Sequence, residues 1–216
     1  MIARFATSAP TIDRPTLKER AYGGIRQIPN ILVFLAIAIG GGLGTSWLMI
    51  DRGSPLTTKR FGPWSIWVGA GRPDTDPYTR AHYLRRGMLP EPNGLVETYF
   101  ARNDNSGQRL RAYCDYRISG NDPAALSWSL GAFTSNGGLI QNRAERYAYN
   151  SSTVMRSSGG RFQITLSRDA QPGNWLPVGG AGSFTLVFTI HEPALRVSED
   201  GSPTNALPVI EQVQCR

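Results

Sequence analysis

The sequence predicts a mainly β protein, an antiparallel jelly-roll-like β-sandwich with one short helix, preceded by a single N-terminal transmembrane helix. Three observations predict it. Ile31–Ile50, "ILVFLAIAIGGGLGTSWLMI", holds twenty residues and no formal charge. After Arg60, short runs of alternating apolar and polar residues recur, spaced by Gly, Pro, Asn and Asp. Only one segment there carries helix start and stop signals, so the βαβ rhythm of a parallel sheet is missing.

In chain order, residues 1–30 form a basic arm expected to lack fixed structure. Arg4, Arg14, Lys18, Arg20 and Arg26 stand against Asp13 and Glu19, a net charge of +3. Residues 31–50 are the membrane span. At about 1.5 Å rise per residue, twenty residues reach across roughly 30 Å of hydrocarbon. Only Thr45 and Ser46 interrupt the apolar surface, and both can bond back to the helix backbone. A cleaved signal peptide is the competing reading, but the run is long for one and no A-x-A site follows it. The basic arm places the N-terminus in the cytoplasm by the positive-inside rule and the remainder in the bacterial periplasm, with Trp47 at the outer interface. Gly40 and Gly44 form a GxxxG pair through which two copies could pack as a homodimer; glycine's general frequency in membrane helices is the alternative explanation.

Residues 51–60 read as a linker and 61–216 as the exported domain. In "FGPWSIWVG", Trp64, Ile66 and Val68 alternate as a strand. "DTDPYTRAHYLRRG" is the helix: Asp76 is the N-cap, Pro77 sits at the first helical position and Gly87 stops it. Tyr78, Ala81 and Leu84 are expected on one face, and His82 on the surface. "LVETYFARN" (95–103) then leads through "DNSG" to "QRLRAYCDYRIS" (108–119), a hairpin candidate. Leu110, Ala112, Cys114, Tyr116 and Ile118 share one phase, which sends Cys114 to the core side. Further strands are expected at 126–134, 161–168 and 182–193, and "LPVIEQVQC" closes the chain. Cys114 and Cys215 are the two cysteines. In an oxidising compartment they predict one bridge, with two buried thiols as the alternative.

The set "GPWSIW", "DPYTRAHY", "ETYF", "YCDYRISG", "ALSWSL", "NRAERYAYNSST", "GRFQITLS" and "NWLPV", in this order over residues 60–195, resembles the domain of unknown function family 1214. The resemblance implies a jelly-roll-like sandwich. In longer proteins of this kind a family 1254 domain of unknown function precedes it. The resemblance therefore implies that a separate family 1254 protein serves as partner. It brings no established reaction.

The composition excludes some functions. A net charge of +4 spread over residues 51–216, without a basic run or stripe, is no nucleic-acid footprint. His82 and His191 are the two histidines, far apart, and no HExxH, CxxC, GxSxG or phosphate-binding loop occurs. No metal site and no cofactor is expected. Asp74 and Asp76 suit a helix start, and Glu199 and Asp200 a polar loop. The candidate ligand site is a polar-aromatic set: Trp128, Asn142, Arg146, Tyr147, Asn150, Asn174 and Trp175. Rings stack and amides hydrogen-bond, which suits a sugar or carboxylate. The same residue types also serve as loop ties. The reading is therefore a membrane-anchored envelope protein whose sandwich binds a partner protein or glycan. The alternative is a hydrolase or lyase acting on envelope carbohydrate.

Overall fold

The computed structural model describes residues 17–92, 94–180, 182–193 and 207–216, with side chains of helical residues from position 29 onward. It divides into two units, residues 1–47 and 48–216. The elements are α1 (Leu17–Arg52), β1 (Thr58–Phe61), β2 (Trp64–Trp67), α2 (Pro77–Arg85), β3 (Val96–Ala101), β4 (Cys114–Gly120), β5 (Ala125–Thr134), β6 (Ala148–Asn150), β7 (Phe162–Ser167), β8 (Trp175–Pro177), β9 (Phe184–Pro193) and β10 (Val209–Cys215).

Within α1, the 24 residues Pro29–Arg52 are long and apolar enough to cross a membrane, and the span is 0% buried. An anchor and a signal sequence both fit that description. Thr45 Oγ1 bonds back to the carbonyls of Gly41 (2.8 Å) and Gly42 (3.1 Å), as its place in an apolar helix requires. The helix begins at Leu17, so the basic arm is helical from that residue on; its first 16 residues lie outside the described ones.

The second unit holds two sheets, six-stranded in the order β1-β2-β3-β9-β5-β6 and four-stranded in the order β10-β4-β7-β8. All pairs are antiparallel except β7 with β8. The inner faces meet in one core. Trp128 of β5 lies 4.6 Å from the Phe162 ring of β7, and Tyr116 of β4 lies 5.8 Å from Phe184 of β9. Each aromatic side chain removes a large apolar area from water, so these crossings account for much of the cohesion between sheets. The expected phase holds: Leu110, Ala112, Cys114, Tyr116 and Ile118 are all buried.

The expected hairpin is different. β3 pairs with β2 and β9, whereas β4 pairs with β10 and β7 in the other sheet. "DNSG" closes only a tight loop with a single bridge, Asn103↔Arg109. Asp104 Oδ1 accepts the backbone N–H groups of Ser106 (2.9 Å) and Gln108 (2.8 Å). Asn105 meanwhile pairs with β10: its Oδ1 accepts the Ile210 N–H at 2.7 Å, and its own N–H reaches the Ile210 carbonyl at 3.0 Å. The residues that make a good turn also bond a remote strand, and the chain beyond them crosses to the second sheet.

Three short strands, β1, β6 and β8, were not expected. β1 lies inside the segment read as a linker, and β8 is the "NWLP" segment. Helix α2 is capped as expected, Asp76 Oδ1 accepting the N–H groups of Tyr78 (3.0 Å) and Thr79 (2.9 Å). Thr79, His82 and Tyr83 are buried, while Leu84 is 68% exposed. His82 is thus no surface residue. Its ring stacks on Trp67 at 3.9 Å and its Nδ1 donates to the Ile50 carbonyl at 2.6 Å. A ring that packs flat on an indole and donates one hydrogen bond satisfies both of its characters when buried.

Candidate functional site

Of the predicted polar-aromatic residues, hydrogen bonds link Asn142, Arg146 and Trp175, and the polar atoms of the whole set bond the chain itself. Asn142 takes the Arg146 N–H on Oδ1 (3.1 Å) and donates to the Ile140 and Arg146 carbonyls (3.0 Å each), closing the turn before β6. Arg146 reaches the Tyr149 hydroxyl and the Trp175 carbonyl, both at 3.1 Å, and its guanidinium lies 5.6 Å from the Tyr149 ring centre. Tyr149, which the sequence did not single out, also takes the Trp175 N–H on its hydroxyl at 3.0 Å. The Trp175 indole donates to the Ser167 carbonyl at 3.1 Å. Asn174 is buried; it takes the Met155 N–H (2.8 Å) and donates to the Met155 (2.7 Å) and Gln163 (2.9 Å) carbonyls. Asn150 builds its own turn, its Oδ1 accepting the N–H groups of Ser152 (3.0 Å) and Thr153 (2.9 Å). Trp128 is buried and donates to Asp122 at 2.7 Å. That carboxylate also holds Arg156, whose side chain is the main reason the Asp122 pKa lies below the usual range. The Tyr147 hydroxyl stands 3.5 Å from Gln141 Oε1.

The open concavity lies elsewhere, on the outer face of the six-stranded sheet. It has a volume of about 810 Å³. Residues 66–70, Tyr83, Arg86, residues 88–91 and residues 134–137 at the end of β5 line it. Strand register arranges its floor. Phe100 of β3 pairs with Val187 of β9, which pairs with Gly131 of β5: an apolar row. Two residues along, Thr98 pairs with Thr189 and Thr189 with Ser129: a row of three hydroxyls. Next, Val96 pairs with His191. Residues two apart on a strand face the same way, so the rows lie side by side on one surface. Thr98, Ser129 and Thr189 are half-buried, and among the described residues their hydroxyls have no hydrogen-bond partner. Hydroxyls left open beside apolar side chains in a concave site are the usual means of orienting a small ligand.

Two titratable groups of α2 are tuned by burial. His82, behind Trp67, is lowered to about 4, chiefly by burial, and therefore stays neutral near pH 7. Tyr83, on the wall, is pushed up to about 12 for the same reason. Glu97 is turned to the core side of β3 and takes the Tyr99 hydroxyl at 2.9 Å. Burial, with Glu97 beside it, raises the Tyr99 phenol.

The sequence did contain a sign of this hollow. The outward residues of β3 and β9 (Val96, Thr98, Phe100; Thr185, Val187, Thr189) carry no charge and include three large apolar side chains, although the water-facing side of an antiparallel sheet is ordinarily polar. Each strand's uncharged outer face is plain locally. That they adjoin depends on pairing across about 90 residues of chain, which local patterns do not encode.

Fold and hollow define the class: a two-sheet β domain with a ligand-sized concavity on its larger sheet. Residues 96–195 match the family "Protein of unknown function (DUF1214)", and the chain carries a DUF1214 domain there. The VPA0106 protein from Vibrio parahaemolyticus is similar in structure, with a TM-score of 0.53 at 20% identity, over 65% of this chain and 36% of that one. An uncharacterized protein from Burkholderia cenocepacia aligns with a TM-score of 0.39 at 18% identity, over 68% of this chain and 45% of that one. This chain thus spans about a third to a half of the lengths of these bacterial proteins. No curated protein matches it.

Proposed function

We propose that this protein is a membrane-anchored binding module of the bacterial envelope. In this reading α1 is an uncleaved anchor in the inner membrane with its N-terminus in the cytoplasm. The domain after it, a jelly-roll-like sandwich, sits in the periplasm and binds a ligand on the outer face of its six-stranded sheet. The observation that carries the reading is the 810 Å³ hollow, floored by an apolar row and three open hydroxyls. Its volume falls within the range of about 300–1,000 Å³ common to small-ligand sites.

Support for export comes from the Cys114–Cys215 disulfide, a bond that persists in oxidising compartments. Support for an anchor comes from the length of the apolar helix and its basic flank. Gly40 and Gly44 offer an open face for a second copy, since a Cβ at either would meet nothing within 4 Å. A separate family 1254 protein is the proposed partner. The fit of this chain to only 36% of the Vibrio protein accords with a domain that operates beside another.

The test uses the full chain. Alkaline carbonate should leave it in the membrane, and a reporter fused after Arg216 should be active outside the cytoplasm. Thermal shifts with envelope glycan fragments and lipids should be abolished by Val187→Trp, which fills the floor. A chain released by carbonate, or a ligand whose binding ignores Val187→Trp, refutes the reading.

A further inference from the structure

The wall of the hollow carries apolar surface that a water-soluble ligand would not require. Leu89, on that wall beside Met88 and Pro90, is 89% exposed, and Leu84, on an adjoining hollow, is 68% exposed. Leu56, a few residues beyond the end of α1, is 87% exposed. A second hollow of about 270 Å³, lined by Thr79, Arg80 and Leu84, shares Tyr83, Met88, Leu89 and Pro90 with the first. Apolar lining therefore continues from the outside of α2 to the floor at Phe100 and Val187.

Helix α2 is also fastened to Ile50 and Asp51, within residues 48–216. His82 Nδ1 donates to the Ile50 carbonyl at 2.6 Å, and Arg85 lies 3.4 Å from Asp51. Ile50 and Asp51 belong to the same compact unit as the hollow. If α1 spans the bilayer, these residues mark where the chain leaves it. The exposed leucines and the neighbouring Arg80, Arg85 and Arg86 are then near the interface, where apolar side chains enter lipid and cations meet anionic headgroups.

We propose that the hollow takes a single-chain amphiphile from the adjoining membrane leaflet, with its acyl chain along Tyr83, Met88, Phe100 and Val187 and its hydroxylated head on Thr98, Ser129 and Thr189. The inference rests on the anchored binding-module reading and names its ligand class. A free glycan would use the hydroxyl row and leave the apolar wall without a role; an acyl chain uses both, because burial of each methylene is favourable by about 0.8 kcal/mol.

The experiment places the full-length chain in nanodiscs of phosphatidylethanolamine and phosphatidylglycerol. The probe is lysophosphatidylglycerol with a diazirine in its acyl chain. After irradiation, crosslinks are expected in the peptides carrying Met88, Phe100 and Val187, and unlabelled lysolipid should compete them away. In Val187→Trp they should fall about tenfold, the effect of roughly 1.4 kcal/mol of steric exclusion. Leu89→Asp, at a position 89% exposed where little packing is lost, should reduce them likewise. Crosslinks confined to α1, Leu56 and Leu84, or unchanged in both variants, overturn the inference. Soluble chitobiose binding that Val187→Trp abolishes, without lysolipid crosslinking, overturns the amphiphile and leaves the binding module standing. Absence of both overturns the two together.

Discussion

Asn174 is a buried amide whose three bonds hold the Met155 N–H and the carbonyls of Met155 and Gln163. Its removal strands those groups away from water, and an unpaired buried polar group costs about 1–3 kcal/mol. Asn174→Ala is therefore expected to lower unfolding free energy by about 3 kcal/mol, read from urea denaturation; a change within error would show that water replaces the amide. His82 gives a pH prediction. Its pKa is lowered from 6.5 to about 4, burial being the largest cause, against which the bond to Ile50 acts. Between those values the unfolded chain binds a proton that the folded chain refuses. Its contribution is complete above about 6.5 and is lost as pH falls towards 4. Urea midpoints should consequently decline more steeply over that interval in the wild type than in His82→Asn, which keeps a donor and does not titrate. Equal slopes would contradict the assignment.

At the scale of elements, β10 is the informative one. It is an edge strand that contributes Ile210 to the core, and its remaining side chains are exposed. The ladder with β4, the Asn105 pair and the Trp64 indole bond to the Pro208 carbonyl (2.7 Å) hold it. The disulfide joins Cys114 and Cys215 where the ladder sets them opposite, across a sequence separation of 101. Chain entropy assigns such a loop up to about 4.7 kcal/mol. Cys215→Ser should lower the melting temperature, and reductant should lower that of the wild type by a similar amount and leave the variant unmoved. Helix α2 begins at Asp76, and Asp76→Ala should cost about 1 kcal/mol. Thermal unfolding measures it, with Asp76→Asn, which still accepts the Tyr78 N–H, close to wild type. The two elements differ in legibility. A cap acts within three residues and is readable from "DTDPYT". The "DNSG" loop reads equally well as a hairpin turn, yet the strand following it joins the other sheet, because burial of Tyr116 and Ile118 between the sheets outweighs local pairing.

For the whole molecule, the anchored reading expects residues 48–216 to fold and melt as one unit. That unit buries a continuous core in which Trp128 touches both Phe162 and Phe188. Trp128→Ala should destabilise the entire domain by about 3–5 kcal/mol. Near-ultraviolet circular dichroism and far-ultraviolet signals should then be lost together at a lower temperature; separate transitions would mean that the two sheets are not one cooperative body. By itself the sequence determined the apolar helix, the capped α2, the period-two strands and the core phase of Cys114, since each is a property of residues close together along the chain. The tertiary structure alone decided that β4 and β10 share a sheet and that Asn142, Arg146 and Asn174 tie loops. It also decided that Thr98, Thr189 and Ser129 stand in one open row. Those outcomes depend on which distant strands meet, and the pairing is chosen by burying the whole core at once, a sum over the molecule that no local stretch contains.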